Sequence, residues 1–248
     1  MTVLPRPWVS VVIPIKDERD NLPPLTEQLL KVLKSASMSQ SAPFEILYVD
    51  DGSSDGSGPL LDNLAEQYPE VRVLHFDRNY GQTSAFDAGF RQSNGELVVT
   101  MDGDLQFDPA DILTLLPLAA HYDLVCGWRK DRHDHVIRKI SSRIANWVRS
   151  NVTGDRVHDT GCSLKVFRRA VLERIQLFEG MHRFFPALAL MYGFTVTEVP
   201  VRHFPRAHGQ SKYGVGNRLF RSLYDLIAVR WMQTRCLRYR YRNGKVKE

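Results

Sequence analysis

Short β-branched runs and amphipathic stretches alternate strictly over the first two thirds of the 248-residue chain. Because strands and helices bury apolar residues at different spacings, this order predicts alternating strands and helices. Such an order is typical of an α/β fold in which helices flank a mostly parallel central sheet. The predicted strands are 9–15, 44–49, 71–76, 97–101 and 124–128; the predicted helices begin near Leu22, with Asn21 as N-cap, and cover 58–67, 83–92 and 109–120.

Acidic residues follow three of the predicted strands at the point where each strand ends. Glu18 follows the first strand, Asp50 and Asp51 follow the second, and Asp102 and Asp104 follow the fourth. Open α/β sheets bind ligands beyond the carboxyl ends of their strands, so we expect these side chains to meet in one crevice. Converging carboxylates need a compensating cation, and Mg²⁺ and Mn²⁺ prefer oxygen ligands. The sequence therefore predicts a Mg²⁺ or Mn²⁺ site at this edge.

Two common nucleotide-binding motifs are absent from the sequence. Neither the dinucleotide pattern GxGxxG nor the P-loop pattern GxxxxGK[ST] occurs, which removes the best support for a dehydrogenase or an ATPase. The pair Asp50 and Asp51 can present carboxylates to a ribose or a base edge. A tight turn with no ligand is the alternative, because Asp, Gly and Ser are all turn formers.

Basic and apolar residues are concentrated near the C-terminus. Residues 235–248 contain six Lys or Arg and one acid, and the preceding stretch 219–231 places most of its apolar residues on one helical face. An apolar face with a cationic flank predicts peripheral contact with a membrane surface, while a solvated tail is the alternative. We therefore expect a main domain at 1–216 and an amphipathic helix with a basic tail at 217–248.

The cysteine content and the hydropathy pattern indicate the compartment. The three cysteines are odd in number and far apart, so they fit neither a disulfide framework nor a metal knuckle. A reduced, cytoplasmic setting follows. No stretch of the sequence has the run of about 18 apolar residues that a membrane-spanning helix needs. The first residues do not have the pattern of a secretory signal. We expect a cytoplasmic protein that is peripheral on the cytoplasmic face of a membrane.

Six segments together resemble family 2 glycosyltransferases of the GT-A fold. The resemblance is strongest to polyprenyl-phosphate sugar synthases of the dolichyl-phosphate mannose synthase type, and the order and spacing of the segments make it specific. The segments are 11–14 with Glu18, 50–53, 78–82, 102–106, 159–162 and 206–213. One position departs from the family pattern, because Lys16 stands where the family often has an aromatic residue two places after Pro14.

The resemblance implies a role for each matched position. The residues implied to bind the nucleotide-sugar are Pro14, Glu18, Asp50, Asp51, Gly81, Asp102, Arg206 and Lys212. The residues implied to bind the metal are Asp102, Asp104 and Gln106, and Asp104 also counts as catalytic. A cation at Asp104, together with Arg206 and Lys212, would neutralise the charge that develops on a departing nucleoside diphosphate.

Two arginines and one carboxylate are implied to serve the acceptor. Arg129 and Arg143 resemble the arginines that meet a lipid phosphate, for which a bidentate guanidinium is well suited. Asp159 is the candidate catalytic base. A hydroxyl acceptor needs such a base more than a phosphate does, because the second pKa of a phosphate is about 6. Asp159 can instead orient cationic side chains, and both roles stay open at this stage.

The resemblance implies a metal-dependent, inverting transfer of a hexose from a nucleotide-sugar to a polyprenyl or dolichyl phosphate. GDP-mannose is the favoured donor. A UDP-sugar with a hydroxyl acceptor on a saccharide or glycolipid is the alternative. A third reading is a non-catalytic protein that binds anions through its basic tail. That reading leaves the acidic strand ends unexplained, since clustered carboxylates repel phosphate, and we expect no nucleic-acid partner.

Overall fold

The computed structural model describes residues 6–40, 42–130, 146, 148–206 and 216–237. Its strands are β1 (Val9–Ile15), β2 (Phe44–Asp50), β3 (Val71–His75), β4 (Leu97–Thr100), β5 (Leu124–Trp128), β6 (Lys165–Arg168) and β7 (Val196–Pro200). They form one sheet in the order β3-β2-β1-β4-β6-β5-β7. Only β6 runs antiparallel to its neighbours, β4 and β5, so the predicted mostly parallel sheet is confirmed.

Helices cover both faces of the sheet. They are α1 (Leu22–Gln40), α2 (Ser57–Gln67), α3 (Gln82–Gln92), α4 (Ile112–Leu115), α5 (Arg169–Arg174), α6 (Phe185–Met191) and α7 (Gly216–Arg235), with a further helical stretch at 148–153. One buried cluster joins α1, α2 and α4 to one face of the sheet. A second cluster joins α3, α6 and α7 to the other face. Alternate residues of β1 enter the two clusters, as the two-residue period of a strand requires.

The sequence-based assignment was wrong in two local details. The stretch 109–120 is not one helix: a 3-10 turn precedes α4 and another follows it, at Leu116–Ala120. Pro117 explains the break, because proline lacks an N–H and its ring clashes with the preceding turn. Asn21 is not an N-cap either. It ends a 3-10 turn and its Nδ2 donates a hydrogen bond to Glu18 Oε2 at 2.6 Å.

The helix α7 presents two different faces. Leu226 and Val229 are buried in the second cluster, whereas Leu223, Ile227 and Trp231 are 50%, 62% and 63% exposed. None of the helices in the described part of the chain has both the length and the apolar composition needed to cross a bilayer. The predicted amphipathic character of this segment therefore corresponds to one face packed on the core and one apolar face directed outward.

Candidate functional site

The carboxyl ends of β1, β2 and β4 bring the predicted acidic residues to one edge of the sheet. Parallel pairing sets Ile15 beside Asp50 and Val12 beside Thr100, so the chain leaves all three strands in the same direction. Pro14, which is half-buried in β1, pairs in register with Val49. The shared strand direction, and not any local motif, is what assembles the crevice.

The turn after β4 is compact and strained. Gly103 lies so close to β1 that an added Cβ would come within 2.4 Å of Ile15 Cδ1. Leu105 has a φ of 59°, in the left-handed region that residues other than glycine rarely adopt. Strain of this kind is retained at sites where the surrounding structure fixes the backbone for a purpose. The turn holds Asp104 almost fully buried, with 5% of its surface exposed.

Asp104 faces a cationic side chain from a distant part of the chain. Arg206 donates from Nη2 to Asp104 Oδ2 at 2.8 Å, and its Nη1 lies 3.3 Å from Glu18 Oε1. Burial, with the nearby charge of Asp102 as a second cause, raises the pKa of Asp104 to about 6. The site thus brings Glu18, Asp104 and Arg206 together as predicted. The carboxylates at this point require positive charge for their ionised forms to be stable.

The residues present fit a divalent cation whose ligands come partly from the protein and partly from a substrate. Mg²⁺ and Mn²⁺ often take one or two carboxylates and complete their shell with phosphate oxygens. Asp102 and Asp104 supply such carboxylates, and Asp104 already faces a cation in the form of Arg206. Among the described residues, no three His, Cys, Asp or Glu side chains are grouped to hold a metal ion. Gln106, the third predicted ligand, donates from Nε2 to Phe204 O at 3.3 Å.

Asp102 is held by two side chains, Gln82 and Ser163, to which the sequence assigns no role. Gln82, the first residue of α3, donates from Nε2 to Asp102 Oδ1 at 2.8 Å. Ser163 accepts a hydrogen bond on Oγ from the backbone N–H of Asp102 at 3.1 Å. Burial raises the pKa of Asp102, and a separate hydrogen bond from the Ser163 hydroxyl to the Asp102 carboxylate acts in the opposite direction. Gln82 belongs to the matched segment 78–82, which was the only sequence signal for it.

Asp50 and Asp51 are both engaged with the protein itself. Asp51 accepts hydrogen bonds from the backbone N–H groups of Tyr80, at 2.6 Å, and Gly81, at 2.9 Å. Asp50 accepts from the backbone N–H of Ser53 and lies 3.2 Å from Nδ1 of His75. These contacts fix the two loops that flank the crevice. The nucleotide-binding roles of Asp50, Asp51 and Gly81 stay predictions.

Lys16 contacts the same wall of the crevice. Its Nζ donates a hydrogen bond to the carbonyl oxygen of Gly52 at 2.5 Å and lies 3.7 Å from Asp17 Oδ2. Burial raises the pKa of Asp51, and the charge of Lys16 partly offsets that rise. A cation therefore occupies the position where the resembling family often has an aromatic side chain.

Arg129, which follows β5, and Asp159 form a bidentate ion pair. Arg129 Nε donates to Asp159 Oδ2 at 2.7 Å, and Arg129 Nη2 donates to Asp159 Oδ1 at 3.0 Å. Only 13% and 7% of the two side chains are exposed. In this geometry, both carboxylate oxygens of Asp159 orient the guanidinium. Arg143 and Lys212, the other two predicted cations, lie outside the described residues.

Comparison with known families and relatives gives a consistent result. Residues 10–176 match the model described as Glycosyl transferase family 2. A dodecaprenyl-phosphate galacturonate synthase of Rhizobium johnstonii is 38% identical over 244 residues, which cover 95% of this chain and 69% of that protein. An undecaprenyl-phosphate 4-deoxy-4-formamido-L-arabinose transferase of Serratia proteamaculans is 41% identical over 221 residues, which cover 88% and 66%. The chain thus spans about two thirds of the length of these relatives.

Solved structures with low sequence identity share the fold. The mannosyltransferase PcManGT of Pyrobaculum calidifontis, in complex with GDP-Man and Mn²⁺, has a TM-score of 0.59 and 22% identity, and the match covers 96% of this chain and 68% of that one. A glucosyl-3-phosphoglycerate synthase of Mycobacterium tuberculosis, in complex with Mn²⁺, UDP and phosphoglyceric acid, has a TM-score of 0.66 and 16% identity, covering 92% and 78%. At these identities the likeness concerns the fold alone.

Proposed function

Since the chain belongs to glycosyl transferase family 2 and has the GT-A fold expected from its sequence, we propose that it transfers a sugar from a nucleotide-sugar to a polyprenyl phosphate. The observation that carries this proposal is the presence of two chemically different groups at the carboxyl edge of the sheet. In one group Arg206 pairs with Asp104, two residues after Asp102, and in the other Arg129 is held by the buried carboxylate of Asp159. Acidic residues suit a metal-bound diphosphate, whereas an oriented guanidinium suits a phosphate.

The donor side is suited to stabilise a leaving nucleoside diphosphate. A bound Mg²⁺ or Mn²⁺ would supply positive charge to the diphosphate oxygens. Asp102 and Asp104 would hold that cation, and Arg206, which pairs with Asp104, would add a second positive charge. Preorganised charge of this kind lowers the barrier because it needs no reorganisation when the bond breaks.

The acceptor side needs orientation more than proton transfer. A phosphate monoester has a second pKa of about 6, so it is largely dianionic at pH 7 and can attack without a base. A guanidinium has five N–H donors, two of which donate to Asp159 in this protein. The other N–H groups of Arg129 can then meet phosphate oxygens. We therefore assign Asp159 an orienting role, and Arg143 stays a predicted partner of Arg129.

The names of the relatives guide the choice of sugar to be tested. The two relatives described above are named for galacturonate and for 4-deoxy-4-formamido-L-arabinose. The mannose preference implied by the resemblance has support only from the names of structural neighbours at 22% identity or below. Donors carrying the relatives' sugars are therefore tested first, followed by GDP-mannose. Membership of an enzyme family argues against a non-catalytic protein that binds anions through its basic tail. Transfer to a hydroxyl acceptor remains the alternative that experiment has to test.

The outward face of α7 is suited to contact a membrane. Leu223, Ile227 and Trp231 lie exposed on one side of a helix that leads into the basic residues of the C-terminal tail. Apolar side chains entering the interface, with cations near anionic lipid heads, give reversible surface binding. We propose peripheral contact of this kind because a polyprenyl phosphate is held in a bilayer. The cytoplasmic face is proposed because all three cysteines are free thiols.

Product analysis tests the proposed function. The purified protein is incubated with Mn²⁺ or Mg²⁺, a short-chain polyprenyl phosphate and each nucleotide-sugar in turn, and the lipids are analysed by mass spectrometry. We expect one donor to give a polyprenyl-phosphate sugar, and we expect both EDTA and Asp104→Ala to abolish it. Nucleotide-sugar binding without any glycolipid would refute the proposed acceptor.

A further inference from the structure

Lys165 begins the antiparallel strand β6 with its side chain inside the protein. Only 2% of the residue is exposed. Its ammonium donates hydrogen bonds to two backbone carbonyl oxygens, those of Cys162 and, at 3.3 Å, of Thr160. Both carbonyls belong to the segment 159–163, which crosses between the ends of β4 and β5.

The segment 159–163 touches both sides of the crevice. At its first residue, Asp159 holds the guanidinium of Arg129, which follows β5. At its last residue, Ser163 accepts the backbone N–H of Asp102 on Oγ and the hydroxyl of Thr100 on its carbonyl oxygen, at 2.6 Å. The segment is therefore a direct structural link between a donor-side carboxylate and the acceptor-side arginine.

If packing were the only role of residue 165, a buried ammonium would be energetically less favourable there than an apolar side chain. Removing a charged group from water is unfavourable unless hydrogen bonds and charges compensate it. The next two residues of β6, Val166 and Phe167, are apolar and fully buried. An apolar side chain at 165 would pack in the same layer but could not donate to the carbonyls of Thr160 and Cys162. The donated hydrogen bonds are thus the property that distinguishes lysine here.

We propose that Lys165 is a positioning residue, which fixes the segment 159–163 and thereby sets Arg129 relative to Asp102. The proposal deepens the proposed function and rests on it, because it assumes that Arg129 meets the acceptor phosphate. Lys165 itself does not touch the substrates. Its effect reaches the acceptor through Asp159 and Arg129.

Steady-state kinetics of three lysine variants test this role. We expect Lys165→Met to raise the KM for polyprenyl phosphate by about 10- to 100-fold, by analogy with the range found for residues that orient metal ligands. The dissociation constant of the nucleoside diphosphate with Mn²⁺ is expected to change much less than the acceptor KM does, because Asp102 keeps its bond to Gln82. Lys165→Arg, which retains a donor and a charge, should recover most of the acceptor affinity. Lys34→Met, which alters a half-exposed lysine on α1, is the matched control and should behave as wild type.

Two outcomes for Lys165→Met would overturn the proposal. One is an equal loss of acceptor and nucleotide binding, which would show a general structural effect. The other is an unchanged KM for the acceptor. If Lys165→Met does not fold, Lys165→Gln takes its place, because its amide still donates to a carbonyl and should give an intermediate KM. A Gln variant that loses acceptor and nucleotide binding equally would overturn the proposal.

Hydrogen exchange separates this inference from the proposed function. In Lys165→Met, we expect amide exchange to accelerate by about tenfold within 159–163 and to stay unchanged in β1 and β2, whose amides bond within the sheet. This readout requires no activity. If wild-type protein forms no glycolipid, the proposed function fails, yet faster exchange confined to 159–163 would still establish the positioning of the segment. Unchanged exchange there would refute it.

Discussion

Replacing Asp159 with Asn should destabilise the protein markedly, although the side-chain volume hardly changes. Asp159 accepts two hydrogen bonds from the Arg129 guanidinium, and the two side chains are only 7% and 13% exposed. An Asn has one acceptor oxygen, so its amide nitrogen would face a guanidinium N–H and the buried cation would lose its counter-charge. Hydrogen bonds to charged groups contribute about 1.5 to 3 kcal/mol, and breaking a buried pair costs about 3 to 5 kcal/mol.

We therefore expect Asp159→Asn to lower the free energy of unfolding by about 3 kcal/mol. For a domain of this size, that change corresponds to a decrease in Tm of about 6 to 12 °C. Asp87→Asn is a matched control, because Asp87 pairs with Arg91 at 2.7 Å on the surface of α3, where the side chains are 38% and 72% exposed. Solvent screens exposed pairs of this type, so they contribute much less to stability than a buried pair does. Urea unfolding of both variants, followed by circular dichroism, gives the comparison.

The same variant distinguishes the two roles of Asp159. If Asp159 orients Arg129, Asp159→Asn should raise the KM for polyprenyl phosphate by about tenfold while kcat falls less than about threefold. A general base would instead lower kcat by about 10²- to 10⁴-fold. Equal stability losses for Asp159→Asn and Asp87→Asn would refute the reasoning on the buried pair. A selective collapse of kcat would refute the orienting role.

Three further predictions concern the metal site, the loops and α7. Because burial raises the pKa of Asp104 to about 6, a proton competes with the cation below that pH. Mn²⁺ affinity, measured by electron paramagnetic resonance, should rise up to about tenfold per pH unit below pH 6 and level off above pH 7; a flat profile would contradict this. Gly52→Ala should cost about 2 to 4 kcal/mol in urea unfolding, since its φ is 67° and the added Cβ would lie 2.5 Å from a backbone atom. Gly154→Ala, with a φ of 73° and open space around it, should cost only about 1 to 2 kcal/mol, and equal costs would contradict the steric argument. Replacing Ile227 and Trp231 with Ser should reduce sedimentation with anionic liposomes at least about tenfold and leave Tm nearly unchanged, because both side chains are exposed; unchanged sedimentation would contradict membrane contact.

The alternating part of the fold could be predicted from sequence because each element there has its own local signal. The bounds of strands β1 to β5 and of helices α2 and α3 agree with the predicted ranges to within one residue, and α1 begins at Leu22 as predicted. The order of these elements was enough to predict that Glu18, Asp102 and Asp104 lie at one edge of the sheet. The strand β6 has only four residues, and its position between β4 and β5 depends on pairing with residues far away in sequence.

The contacts within the site could be predicted much less well. The pairing of Arg129 with Asp159 joins residues 30 positions apart, and it exists because β6 brings the segment 159–163 back between β4 and β5. Asp51 accepts backbone N–H groups of the loop before α3, and its residue type gave no indication of these contacts; its role in nucleotide binding stays a prediction. Residue types indicate the chemistry that a crevice can perform, whereas tertiary contacts decide which oxygen atoms remain for the substrate.

The choice of acceptor tests the central claim most directly. Once a donor is identified, the protein is given equal amounts of a polyprenyl phosphate and of the polyprenol with the same chain, and both lipids are followed by mass spectrometry. We predict sugar transfer to the phosphate alone, with the signal reduced at least about tenfold in Arg129→Ala because the oriented guanidinium is lost. Transfer of sugar to the polyprenol hydroxyl, or an Arg129→Ala variant with full activity, would contradict it.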